Sequence, residues 1–230
     1  MRRTGQAQPL RARPADREQK GTRVSGTPTM PRTSRGERTR VALRQAARTV
    51  LAERGYAIAR VEDVVAAAGV SHGTFYTYYD NKAAILDALI DETAAELQAV
   101  VDEPWEGTDA AATIEAVLDR FVAVFARHAD VVKVWLEASA HEQHFRDRLR
   151  EVRSGYVNRV AQVLSPVLDP TPHDAGVVAA ALVGMVEAYA TQGLAVDDLQ
   201  ERTAVVRTLT SIWLGGLIRL AEEADQPTRV

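Results

Sequence analysis

The chain has 230 residues, 46% hydrophobic and 26% charged, with a formal net charge of −3. That balance is ordinary for a soluble globular protein and supplies enough apolar material for a real core. There is no cysteine, which excludes disulfides, thiolate catalysis and Cys-ligated metal or iron–sulfur sites, and the apolar runs read as too short and interrupted to span a membrane.

Charge is unevenly placed along the chain. Residues 1–40 carry eleven Arg and Lys against three Asp and Glu, so they hold +8 and the remainder −11. A basic front on an acidic body suits a chain whose front end meets a polyanion. A merely solvated tail is the plainer alternative for the same composition. Residues 1–34 are rich in Arg, Pro, Gly, Thr and Ser and read as a disordered basic arm, without the apolar stretch of a secretory signal. Met30 is a second candidate start within it. The missing cysteines and signal fit the cytoplasm.

From Arg35 onward the periodicity is helical and the fold class is all-α. Leu43, Ala46, Ala47, Val50 and Leu51 fall at helical spacing, and Gly55 follows as a stop. Val61, Val64, Val65 and Ala68 make a short second helix closed by Gly69. Ser71 caps a third that ends near Tyr78. Asp80 or Asn81 opens a long fourth, carrying Ile85, Leu86, Leu89, Ile90, Leu97, Val100 and Val101 on its buried side. Helices from 108 or 109, around 131–140 and around 143–168 follow, then a break at 168–174. The segment 174–192 is apolar on most sides, so it must be covered on most sides; 198–223 is the last helix. Four divisions result: the arm 1–34, a small head at 35–80, a helical body at 81–224 and a tail at 225–230.

The stretch GVSHGTFYTYYDNK, residues 69–82, places Phe75, Tyr76, Tyr78 and Tyr79 within five residues. A short helix, a Gly turn and a second short helix describe a helix-turn-helix, whose second helix enters the major groove of DNA. At about 100° per residue, Phe75 and Tyr79 turn inward, while His72 and Tyr76 share the opposite face and meet bases. Ser71, Thr74, Thr77 and Tyr78 flank them with hydroxyls at the height of the phosphates, and Lys82 adds a cation there. Gly73 leaves room for close approach to the groove.

Residues 36–90, and AAGVSHGTFYTYYDNKAAIL above all, resemble the DNA-binding domain of the TetR family of bacterial transcriptional repressors. The resemblance implies a three-helix DNA-binding head on a helical ligand-binding and dimerisation body. It implies base contacts for His72, Gly73 and Tyr76, and phosphate contacts for Ser71, Thr74, Thr77, Tyr78 and Lys82. Two positions depart from the family pattern. Ala59-Arg60 stands where Thr or Ser usually caps the second helix, so Arg60 would reach a phosphate without capping, a loss of about 1 kcal/mol. Tyr78 stands where His or Arg is commoner.

In the body, Phe121, Phe125, Trp135, Tyr156, Met185, Glu187 and Tyr189 are candidates for an effector pocket, with plain core packing the alternative for the aromatics. Two roles are open to Glu187: lining a cavity or facing a symmetry mate. The apolar last two helices are expected to form a four-helix dimer interface through Val183, Gly184, Leu209, Trp213 and Leu217. His141 and His144 lie three apart without a third ligand, so no metal is expected, and no cofactor motif or catalytic set is present. The expected function is a ligand-responsive repressor that binds a palindromic double-stranded DNA operator as a homodimer. A ligand-independent regulator or activator is the alternative, and an enzyme is not expected.

Overall fold

The structure is a computed structural model that describes residues 34–105, 109–168, 173–192 and 199–224. The basic arm up to 33, Met30 within it, the 225–230 tail and most of the break at 168–174 lie outside the described residues.

Among the described residues the fold is all-α, with no strand. Its helices are α1 (Ser34–Ile58), α2 (Val61–Ala68), α3 (His72–Tyr78), α4 (Lys82–Asp102), α5 (Ala110–Arg127), α6 (Ala129–His141), α7 (Gln143–Leu168), α8 (Ala175–Gln192) and α9 (Leu199–Ala224). Their starts follow from local chemistry. Ser71 Oγ accepts the Thr74 N–H at 3.1 Å, Asn81 Oδ1 that of Ala84 at 2.9 Å, Asp109 Oδ1 that of Ala111 at 2.9 Å, and Asp174 Oδ1 that of Val177 at 3.0 Å. Each satisfies an N–H that a helix start leaves without an internal partner. Gly69 ends α2 in the left-handed region at φ 64° and makes the turn into α3.

Arg60 occupies the cap position of α2 and makes no side-chain cap. The Asp63 carboxylate instead accepts the Arg60 N–H at 3.0 Å and pairs with Arg54 at 2.8 Å, tying α2 to α1. Half of a capping box therefore stands in for the missing Ser or Thr.

Two hydrophobic clusters share α4. The first unites α1, α2 and α3 with Ile85, Leu86, Leu89 and Ile90 of α4. It also takes in Val131, Val134, Trp135 and Ala138 of α6 and Phe145 of α7. The second joins Leu97, Val100 and Val101 of α4 to α5, α7, α8 and α9. The head thus does not close on itself at residue 80: α6, far along the sequence, completes its core.

The last helices show where a periodicity argument stops. Val183, Leu209 and Trp213 are buried in the chain's own core and Leu217 packs against it, so these residues do not face outward. Gly184 lies beside the Arg153 side chain. The reason is that α8 packs on α7 and α9 on α5, and those faces are used internally. The outward faces carry exposed Val177 and Ala181 on α8, and Ala204, Thr208, Ile212, Gly215 and Ile218 on α9. Glu201–Glu222 is long and apolar enough, by length and composition, to cross a membrane. Yet Val206, Leu209 and Trp213 within it are core residues.

Candidate nucleic-acid interface and effector cavity

The α3 helix divides its residues cleanly. Phe75 is 0% exposed and Tyr79 is buried beside it, their ring centroids 5.8 Å apart. Tyr76 is 54% exposed and crosses the edge of Phe75 at 5.4 Å, which steadies the ring while its hydroxyl end stays outside. His72 and Gly73 are exposed on the same side. Inward aromatics hold the helix, and the outward residues are left to meet a partner.

The flanking hydroxyls are not equivalent. Ser71 Oγ and Thr74 Oγ1 stand 2.9 Å apart, so one donates to the other and one hydroxyl proton of the pair remains for an outside acceptor. Thr77 Oγ1 donates to the Gly73 carbonyl at 2.9 Å, which engages its only proton. Arg60 is exposed. Tyr78 is half-buried and shares an open groove with Ser71 and Thr74, whose opposite wall is Arg35 and Thr39 of the first turns of α1. Sequence reading missed these two α1 residues, although the Arg-rich start of that helix was a signal for them.

Lys82 is placed differently from an outward cation. Its Nζ donates to the Tyr56 carbonyl at 2.5 Å and lies 4.3 Å from the centre of the Tyr56 ring. It joins the end of α1 to the start of α4, and it keeps two further protons. The Tyr56 phenol is pushed up by burial and by the neighbouring Glu142 carboxylate.

The body holds an apolar cavity of about 150 Å³ walled by α4, α5, α6, α7 and α8. Of the sequence candidates it brings together Phe121, Phe125, Trp135, Tyr156 and Glu187. Met185 is not in its wall; it packs against the core. Tyr189 lies in a separate groove against Glu201, Val205 and Thr208 of α9. Leu97, Leu136, Arg153 and Thr191 are among the further wall residues and were not foreseen; leucines at helical spacing look the same in a wall as in a core. Glu187 lines the cavity and pairs with Arg153 at 2.8 Å, so its charge is compensated there. Burial pushes the Tyr156 phenol up, with the Glu187 charge adding to the effect.

Cavity and head are joined through α6. Trp135 walls the cavity and belongs to the head's core, and its indole N–H donates to the Phe145 carbonyl at 3.2 Å. Two residues along, the Glu137 carboxylate accepts the N–H groups of Tyr56 and Ala57. Arg48 of α1 grips the same helix at Asp130 Oδ2, 2.6 Å away, and the end of α5 at the Arg127 carbonyl, 2.5 Å away. A third tie runs from α7, where His144 Nε2 lies 2.8 Å from the Asp87 carboxylate of α4.

A helix-turn-helix head, on an all-helical body with a cavity whose wall reaches the head's core, defines a DNA-binding transcriptional regulator. Residues 43–89 match the family model of bacterial regulatory proteins, tetR family, and residues 109–225 match the tetracyclin repressor-like C-terminal domain. The chain belongs to the TetR family. It is 28% identical over 122 residues to the fatty acid metabolism regulator protein of Bacillus subtilis strain 168, a match covering 52% of this chain and 63% of that one. Its fold is similar to that of the fatty acid degradation regulator FadR of Bacillus halodurans, with TM-score 0.65, 24% identity, and 78% and 96% of the two chains covered. It is also similar to that of the Bacillus subtilis regulator FadR in complex with stearoyl-CoA, with TM-score 0.65, 22% identity, and 76% and 98% covered.

Proposed function

We propose that the protein is a ligand-responsive transcriptional repressor of the cytoplasm. As a homodimer it binds a palindromic operator and releases it when a small, mostly apolar effector enters the cavity of the helical body. The observation that carries this reading is the double role of Trp135. A side chain that walls the cavity and also packs in the head's core makes the state of one depend on the state of the other. An effector then acts by its differential affinity for the two arrangements. The relatives that regulate fatty acid metabolism support an apolar effector, as does the lining itself.

On the DNA, His72, Gly73 and Tyr76 read base edges in the major groove. Arg60, Ser71, Thr74 and Tyr78 hold phosphates, joined by Arg35 at the start of α1. Lys82 reaches the same rail with its remaining protons, and Thr77 does so only by giving up its bond to Gly73. One head reads too few base pairs to find a site in a genome, so a second copy is required. Its natural seat is the outward face of α8 and α9, where Val177, Ile212 and Ile218 are 69%, 48% and 50% exposed. Gly215, with nothing within 4 Å of a Cβ built on it, leaves room there for a close partner helix.

The test is selection of bound sequences from a random double-stranded DNA library by the purified full-length protein. A palindromic motif is the expected result. Recovery of unordered sequence alone would count against operator recognition.

A further inference from the structure

We propose that the cavity takes a compact, neutral molecule with one hydrogen-bond-accepting oxygen, held by the Tyr156 phenol and the Trp213 indole, and not a long acyl chain. This assignment rests on the helical body being an effector domain, but it can be tested without DNA.

Two buried donors lack acceptors. Tyr156 is 5% exposed and Trp213 3%, and Tyr156 Oη and Trp213 Nε1 are both shielded from solvent without a hydrogen-bond partner. Buried polar groups are nearly always paired, so each such group asks for an explanation. An indole N–H can only donate, so what is missing at Trp213 is an acceptor. Both rings wall a small second lobe of about 30 Å³, together with Val117, Phe121 and Val183. None of those side chains carries an acceptor. Phe121 and Tyr156 line both this lobe and the larger one.

Size and charge narrow the class further. The larger lobe, about 150 Å³, matches the apolar cavity volume that holds a benzene molecule. That suits one ring or a short branched chain, whereas an eighteen-carbon chain is far too long. The cavity's own charges, Arg153 and Glu187, already pair with each other at 2.8 Å. No unpaired cation waits for a carboxylate, and an uncompensated buried charge is costly. A neutral ketone or ester has what the lining lacks: an apolar body and one carbonyl oxygen.

The experiment is calorimetric titration of the full-length protein with two matched pairs of probes and stearoyl-CoA. The pairs are acetophenone with isopropylbenzene, and cyclohexanone with methylcyclohexane. At least one ketone should saturate at one per chain, roughly tenfold more tightly than its hydrocarbon partner, the advantage one net hydrogen bond gives. Tyr156→Phe, which keeps the ring and removes only the orphan hydroxyl, should cut that advantage at least threefold. Trp213→Phe should cut it too. Four outcomes overturn the proposal: no saturable ketone binding, equal affinities within each pair, an advantage that survives Tyr156→Phe, or tighter one-per-chain binding of stearoyl-CoA. Ordered water satisfying both donors would give the second of these. Operator selection proceeds independently, so failure here leaves the DNA-binding reading standing, and failure there leaves this one.

Discussion

The Glu137 carboxylate of α6 accepts the backbone N–H groups of Tyr56, at 2.9 Å, and of Ala57, at 3.1 Å. Eighty residues separate the partners in sequence, yet this contact finishes α1 just where its helix breaks. Glu137→Ala removes both acceptors. It should cost about 1–2 kcal/mol in denaturant unfolding, less than a fully buried charged pair because the site is partly open to solvent. Glu137→Gln, which keeps one acceptor, should cost less.

Gly55 sits under that carboxylate with φ 76° and ψ 163°, a region that is essentially glycine's alone. A Cβ there would also lie 2.8 Å from Glu137 Oε2. Gly55→Ala should therefore lower stability by about 1–3 kcal/mol. Combined with Glu137→Ala it should cost less than the sum of the two, because the clash disappears with the carboxylate. A double-mutant cycle measures this directly.

Acid should loosen the same junction. Burial works against the charged forms of Glu137 and Asp130. At Glu137 the N–H groups of Ala57 and Tyr56 outweigh it, and at Asp130 the Arg48 hydrogen bond and the Val131 N–H do, so both carboxyls are held below their ordinary values. A carboxyl lowered in the folded state adds stability above its unfolded pKa, about 4. That contribution is lost as pH falls through the folded value. Unfolding free energy should therefore drop as pH falls below about 4, and the drop should be shallower in Glu137→Gln.

A buried contact ties α4 to the corner between α5 and α6. Thr93, 0% exposed, donates to the Leu89 carbonyl at 3.0 Å, and its Oγ1 lies 3.1 Å from His128 Nδ1, while His128 Nε2 lies 3.3 Å from the Glu96 carboxylate. Thr93→Val, which takes the hydroxyl away from a buried ring nitrogen, should cost about 1–3 kcal/mol in denaturant unfolding.

Much of this was legible in the sequence. Caps at Ser71 and Asn81 and the spacing of valines and leucines located the helices closely, and the inward and outward sides of α3 followed from 100° steps. What periodicity could not show is which apolar face the chain covers with itself. The α8 helix is apolar nearly all round, so Val183 and Val177 look alike until α7 is seen to cover one of them. Nor could local pattern reveal that α6 packs into the head, because Trp135 and Glu137 meet α1 only in three dimensions. Lys82 read as a phosphate contact because its family position suggested one, while its bond to the Tyr56 carbonyl has no sequence signal.

His72→Ala and Tyr76→Ala should separate recognition from affinity. Both residues are exposed, so stability should change by less than about 0.5 kcal/mol. Specific binding to the selected motif should weaken by about 1–3 kcal/mol for each, while binding to random duplex stays nearly unchanged. Competition binding at fixed salt distinguishes the two.

The most direct test of a dimer reading two half-sites is to change their spacing. Binding of the full-length protein would be measured on the selected palindrome and on a copy with five base pairs inserted at its centre. Five base pairs turn one half-site about half a helical turn away from the other. The account predicts that affinity for the spaced copy falls to that of a single half-site. Equal affinity for both duplexes would contradict it, since heads that do not feel the spacing are not held by one rigid dimer.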